Sequence, residues 1–234
     1  MTIPVDGAPD ERDPRDLRPQ RVLPLVVRVE RQDPPARTDA LEAAAIAVLT
    51  LLADDRSAGE GEWAGAVREW ADARIRKVVR RARGAEWQRA EALDGITVRH
   101  GTAEVRVFPP VPLDGWPRDL ARLQVSGTDL ADAQPPPPPP PGTPVLWLGP
   151  RLDLTAGKAM AQVGHAAQIG YRSLGPAAAA AWRAAGFPLA VRTASPRRWA
   201  DLRAAGLPTV RDAGFTEVAP GTETAIADLR PLGR

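Results

Sequence analysis

Three polar side chains in the second half of the chain have the types and the spacing to support acid–base chemistry. Lys158, Gln162 and His165 lie four and then three residues apart. On a helix of 3.6 residues per turn, Gln162 and His165 lie within about 40° and 20° of Lys158, so the three side chains share one face. Lys158 could meet an oxyanion or a phosphate, and the other two could orient a water molecule. An ordinary solvated helix face has the same spacing, and helix geometry leaves both interpretations open.

A second polar group lies nearer the C-terminus, after a short apolar segment. Asp212 is followed by Ala213-Gly214 and, four residues on, by Thr216. Loops at strand ends carry many functional sites, and a carboxylate there can act as a general base. An Asp that only forms the turn fits the same residues.

The surrounding sequence predicts the elements that would position both groups. Apolar residues at Met160, Val163 and Ala167 predict a helix over residues 158–174, opposite the polar face. Strands are predicted at 144–148, 188–192, 209–211, 217–218 and 222–227, and helices at 176–185 and from the Ser195 cap to Ala205. Alternating strands and helices indicate a small α/β fold.

The chain divides at a run of seven prolines, residues 135–141. The run favours an extended polyproline conformation, so residues 131–143 are predicted to be a stiff linker; a docking site for a proline-binding protein is the alternative. Residues 1–20 are charged and proline-rich, which predicts a disordered lead-in. Two domains remain, at 21–130 and 144–234.

These two halves are predicted to be diverged copies of one domain. A shift of 112 positions aligns Trp70 with Trp182, Trp87 with Trp199, and residues 97–99 with residues 209–211, both Thr-Val-Arg. The first half has a candidate strand at 25–28 and a candidate helix at 38–52, but that helix contains no Lys, Gln or His. His100 stands at the position of Asp212. The first half is therefore expected to be non-catalytic.

Composition excludes several classes of protein. The chain has no cysteine, so it has no disulfides, thiolate nucleophiles or cysteine-ligated metals. Lys and Arg outnumber Asp and Glu by only 31 to 29, so net charge does not indicate a nucleic acid partner. No apolar run is long enough for a membrane span, and a cytoplasmic location is expected. Residues 74–83 contain six bases, which fit a phosphate-binding surface or a solvated strand edge equally well.

Both polar groups resemble signatures of the archaeal-type (type 2) peptidyl-tRNA hydrolases. Residues 151–166 contain Arg-x-Asp-Leu, then Gly-Lys, Ala-Gln and His-Ala in the order and Lys-to-Gln-to-His spacing of that family. Residues 206–209, 211–214 and 219–224, together with Thr216, resemble its C-terminal signature. Two ordered motifs about 50 residues apart outweigh the simpler explanation of each.

The resemblance implies a mixed four-stranded sheet flanked by helices, here duplicated in tandem. It also implies hydrolysis of the ester between a peptide and the 3′ end of tRNA, with no metal or other cofactor. Lys158, Gln162, His165, Asp212 and Thr216 match the family's active-site positions. Family members are homodimers, so the chain is expected to form a homodimer or an intramolecular pseudo-dimer. A non-catalytic derivative that binds tRNA or a protein is the alternative function.

Overall fold

The chain folds into two α/β units, each built on a mixed sheet. The structure is a computed structural model that describes residues 13–212 and 218–233. The first unit contains β1 (Arg21–Arg28), α1 (Arg37–Ala53), α2 (Ala64–Asp72), β2 (Arg76–Ala82), α3 (Gly84–Glu91), β3 (Ile96–His100), β4 (Ala103–Val107), β5 (Val111–Pro112) and α4 (Arg118–Ala121). The second unit contains β6 (Val145–Leu148), α5 (Ala156–Ser173), α6 (Pro176–Ala184), β7 (Ala190–Thr193), α7 (Pro196–Ala204), β8 (Thr209–Arg211) and β9 (Glu223–Asp228).

The two sheets have the same topology. Their strand orders are β2-β1-β4-β3 and β7-β6-β9-β8. In each sheet the first two strands are parallel and the other neighbours are antiparallel. The first sheet gains one short strand, because β5 pairs with β1. The predicted fold class, a mixed sheet flanked by helices and duplicated in tandem, is confirmed.

The duplication extends to individual side chains. Trp70 of α2 and Trp182 of α6 lie near the ends of equivalent helices and are almost completely buried, with exposed fractions of 0% and 1%. Each indole Nε1 donates to the backbone carbonyl six residues later, at 2.8 Å to Arg76 and at 3.0 Å to Pro188. A buried indole N–H needs a hydrogen-bond acceptor, and both units provide a backbone carbonyl at the same sequence separation.

Local sequence explains most element boundaries in the second unit. Pro176 and Pro196 occupy first-turn positions of α6 and α7, where the missing backbone N–H costs nothing. Ser195 caps α7 as expected, because its hydroxyl accepts from the backbone N–H of Arg198 at 3.2 Å. Helix α5 begins at Ala156, two residues before the predicted start. Val218 lies in a bend, which differs from the strand predicted there, and residue 217 lies outside the described residues.

Helices α1 and α5 pack against each other and form the contact between the units. Each covers its own sheet and also reaches the edge strand of the other unit, α1 touching β7 and α5 touching β2. Small residues permit this close approach: Ala40, Ala43, Ala44 and Ala47 are fully buried on α1, and Gly164 of α5 lies against Val48. One continuous core therefore spans both units.

The predicted lead-in and linker both contact the folded units. Part of the predicted lead-in is ordered: Pro14–Leu17 forms a 3-10 helix, and Asp16 accepts from Arg74 at 2.7 Å and 2.8 Å; residues 1–12 lie outside the described residues. The linker has no helix or strand, and its Pro137 carbonyl accepts from the Arg192 guanidinium at 2.8 Å and 3.1 Å. Within the described part of the chain, no helix has the length and hydrophobicity to cross a membrane.

Candidate active site

The second unit gathers its motifs at one edge of its sheet. Strands β6 and β7 are parallel, and β8 runs in the same direction because both β6 and β8 pair antiparallel with β9. Their carboxyl ends therefore meet at one edge, where α5 also begins. Ligand sites of open α/β sheets lie at this edge.

Gln162 and Asp212 meet in a buried hydrogen-bonded chain at that edge. The Gln162 amide Nε2 donates to Asp212 Oδ2 at 2.8 Å, and the Thr224 hydroxyl donates to Gln162 Oε1 at 2.5 Å. The exposed fractions of Gln162, Asp212 and Thr224 are 3%, 7% and 0%. Because the hydroxyl needs the amide oxygen, the amide cannot rotate, and the carboxylate receives an N–H of fixed direction.

The backbone around Asp212 is also fixed. Its N–H donates to the Thr222 carbonyl at 2.9 Å, and its carbonyl accepts from Gly221 N–H at 2.7 Å. The strand register shifts between Val210 and Arg211, which turns the following residue away from the regular ladder. Gly221 has a φ of 83°, a conformation that favours glycine.

Lys158 lies one helical turn before Gln162 and is half-buried. It belongs to the first turn of α5, where the backbone dipole attracts anions. The preceding loop contains Arg151, whose φ of 60° is strained for a residue other than glycine. Lys158 and the helix start thus place positive potential beside the Gln162–Asp212 pair.

His165 is directed away from this pair and towards the first unit. Its Nδ1 lies 3.1 Å from Nζ of Lys77 on β2, and Lys77 also donates to Gln168 Oε1 at 2.6 Å. Burial lowers the pKa of Lys77 well below its ordinary value, and the charge of Arg172 adds to the effect. Burial and Lys77 likewise lower the pKa of His165 well below 6.5. A neutral imidazole accepting at Nδ1 carries its proton on Nε2.

The polar face of α5 is therefore not a solvated surface. Gln162 faces its own sheet and His165 faces the other unit. Thr216, the remaining predicted site residue, lies outside the described residues.

The first unit repeats the geometry of the site with different chemistry. Glu42 occupies the helix position of Gln162, a shift of 120, and Glu42 Oε2 lies 2.8 Å from Nε2 of His100, the counterpart of Asp212. The other Glu42 oxygen accepts from Val191 N–H at 2.9 Å and from Arg192 at 2.8 Å. Burial alone would raise the pKa of Glu42, but its donors outweigh burial and lower it, while the bond to Glu42 raises the pKa of His100.

The loop that carries Asp212 is missing from the first unit. Eleven residues, 212–222, separate β8 from β9, whereas two residues, Gly101 and Thr102, join β3 to β4. Thr38 takes the place of Lys158, and its N–H and hydroxyl donate to the Asp132 carboxylate at 2.8 Å and 2.7 Å. A carboxylate from the connecting segment thus occupies the start of α1.

The basic stretch at residues 74–83 binds other parts of the chain. None of its six basic residues is exposed. Arg80 donates to the Leu123 carbonyl at 2.5 Å and stacks on Trp116, and Arg81 donates to the Ser126 carbonyl at 3.1 Å. These contacts hold the segment that leads towards the second unit.

Sequence reasoning missed Thr224 and Lys77. Thr224 carries a signal, because it is a hydroxyl residue directly before the apolar residues 225–227 of β9 and belongs to the C-terminal motif. Lys77 carries a weaker one, as one of only two lysines in the chain.

The chain was also compared with known proteins. Neither the family models nor the curated proteins gave a match. Any functional conclusion must therefore come from the site itself.

Proposed function

We propose that the second unit is a peptidyl-tRNA hydrolase, which cleaves the ester between a peptide or N-blocked amino acid and the 3′ end of tRNA. The observation that supports this most strongly is the 2.8 Å contact between Gln162 and Asp212. These residues belong to two motifs that lie 50 positions apart and resemble those of one hydrolase family. Their buried contact means that the two motifs meet in a single site.

In this proposal Asp212 is the general base. Gln162 orients its carboxylate, and Thr224 fixes the amide of Gln162. The carboxylate takes a proton from a water molecule as the water attacks the ester carbonyl, a contribution of about 10²- to 10⁴-fold. When the tetrahedral intermediate collapses, the bond to the 3′ oxygen of the ribose breaks and Asp212 gives the proton to that oxygen. Lys158 and the first turn of α5 stabilise the developing oxyanion or bind the terminal phosphate. Thr216 would assist the water.

His165 has a different role in this proposal from the one suggested by sequence. Its bond to Lys77 makes it a positioning residue that fixes α5 against the first unit. The first unit itself is non-catalytic, because it lacks the 212–222 loop and has Thr38 and His100 where the chemistry requires Lys158 and Asp212.

The decisive assay incubates the full-length protein with N-acetyl-aminoacyl-tRNA and measures release of the acetylated amino acid. We expect Asp212→Asn to lower release by about 100-fold or more, because the base is lost. Asp201→Asn is the matched control, since it removes an exposed carboxylate from α7 in the same unit.

Equal turnover by the wild type and Asp212→Asn would refute the assignment. Binding of the tRNA by a wild type that releases nothing would instead support the non-catalytic alternative.

A further inference from the structure

The two units are related by an approximate twofold axis. Their contact therefore consists of two equivalent halves, which we call arms. Helix α5 lies against β2 in one arm, and α1 lies against β7 in the other. Positions correspond by a shift of 112 between β2 and β7, and by a shift of 120 between α1 and α5. If the repeats were identical, the two arms would carry the same side chains.

The arm between α5 and β2 is polar at its centre. Lys77 Nζ donates to Gln168 and contacts His165, and it also lies 3.4 Å from the Ile75 carbonyl and 4.8 Å from the Trp70 ring centroid. Lys77 is 8% exposed and Gln168 is 0% exposed. Lys77 Nζ thus finds its two side-chain partners, His165 Nδ1 and Gln168 Oε1, across the contact, and Gln168 Nε2 has no partner among the described residues.

The other arm is apolar at the same three positions. The counterparts of Lys77, His165 and Gln168 are Leu189, Ala45 and Val48. All three are buried, with exposed fractions of 6%, 0% and 0%. The lysine was therefore placed on one unit and its two partners on the other.

This division discriminates between alternative pairings of the units. Two copies of the first unit would bury Lys77 against Ala45 and Val48, with no polar partner. Two copies of the second unit would bury His165 and Gln168 against Leu189. In either homotypic pair, both arms would contain buried polar groups without hydrogen-bond partners, which costs free energy in each arm.

Glu42 does not distinguish a mixed pair of units from a pair of first units. Its donors across the contact are Val191 and Arg192, and the first unit has Val79 and Arg80 at the equivalent positions. A pair of first units could satisfy Glu42 with the same residue types. Specificity is thus concentrated in the Lys77–His165–Gln168 cluster.

We propose that the Lys77–His165–Gln168 cluster is a pairing code that admits only a first unit against a second unit. Through it the chain closes on itself and does not exchange units with a second copy. Polar groups buried in an interface have this use elsewhere, because a mismatched partner leaves them unpaired.

The test separates the units after folding. A protease site is inserted after Pro141, in the exposed part of the linker, and the purified full-length protein is cleaved, unfolded in urea, refolded by dilution and weighed by native mass spectrometry. The wild type should give only the mixed pair. The variant Lys77→Leu/His165→Ala/Gln168→Val makes both arms apolar and should give homotypic pairs, up to roughly half of all pairs if pairing becomes random.

Homotypic pairs from the wild type, or the mixed pair alone from both proteins, would overturn the proposal. The uncleaved chain provides a second measurement that does not need separated units. Lys77→Leu should lower the urea midpoint more in the wild-type background than in His165→Ala/Gln168→Val, because the remaining partners are orphaned only in the former. Equal shifts in the two backgrounds would also reject the pairing code.

Discussion

The substitution Gln162→Glu tests the buried chain at the candidate site most directly. It keeps the shape of the side chain and replaces the N–H that faces Asp212 with a second carboxylate. Thr224 can still donate to the oxygen it now contacts at 2.5 Å. The change is therefore almost purely electrostatic.

The expected magnitude follows from the geometry. Gln162 Nε2 lies 2.8 Å from Asp212 Oδ2. Carboxylate charge centres at such a contact lie about 4 Å apart, and two unit charges at that distance interact by about 4 kcal/mol at an effective dielectric constant of about 20. Both carboxylates cannot stay ionised at that cost, so one of them holds a proton to higher pH.

The sign of the pH dependence follows from linkage. The folded variant binds a proton that the unfolded chain releases above about pH 4, so its stability falls relative to the wild type as pH rises from there. Urea unfolding from pH 4 to pH 7 should show a small difference at pH 4 and a loss of up to about 4 kcal/mol at pH 7.

Gln168→Glu is the matched control on the same helix. Gln168 is also buried, but its Oε1 accepts from the Lys77 amine at 2.6 Å, so the introduced carboxylate meets a hydrogen-bond donor instead of a second carboxylate. Its stability relative to the wild type should not fall as pH rises from 4 to 7. If Gln162→Glu shows a pH-independent loss, or if both variants lose stability in parallel, the proposed contact between Gln162 and Asp212 is wrong.

Three further substitutions test neighbouring contacts. Thr224→Val removes the hydroxyl that orients Gln162, and it should cost about 1–3 kcal/mol in urea unfolding, because a buried acceptor is left unpaired; a neutral effect would contradict the buried chain. The wild type should lose stability as pH falls below the ordinary imidazole pKa of 6.5, because folding lowers the pKa of His165, and His165→Ala should make that loss smaller. An unchanged dependence of the free energy of unfolding on pH would argue against a neutral imidazole at this position. Glu42→Gln should return the pKa of His100 towards 6.5 in an NMR titration, because the bond to Glu42 is the main cause of its rise; an unmoved titration would exclude that bond.

The elements of the second unit were predictable because their signals are local. Proline and serine mark the starts of α6 and α7, and apolar spacing marks α5. The contact between Gln162 and Asp212 was also within reach, because both residues belong to recognisable motifs. What the sequence could not provide was the orientation of His165, whose partner Lys77 lies 88 positions away in another unit.

The relation between the repeats was only partly predictable for a physical reason. A single shift of 112 aligns β2 to β3 with β7 to β8, whereas α1 and α5 require a shift of 120. The difference of eight arises between the first two helices of each unit, because ten residues, 54–63, join α1 to α2 and two residues, 174–175, join α5 to α6. Insertions of this kind cost little stability in a surface connection, so they accumulate and hide the alignment of the most informative residues. Without the second shift, Glu42 cannot be recognised as the counterpart of Gln162.

Loop lengths also explain why one unit kept the candidate site while the other became its support. The turn between β3 and β4 is shorter by nine residues than the 212–222 connection, and His100 is the last residue of β3. Its carboxylate partner Glu42 could then serve a different purpose, and it binds Arg192 and Val191 of the other unit. The residue that would orient a base in an active copy instead joins the two units. In the first unit, the shortened turn between β3 and β4 and the contact of Glu42 with the other unit thus occur together.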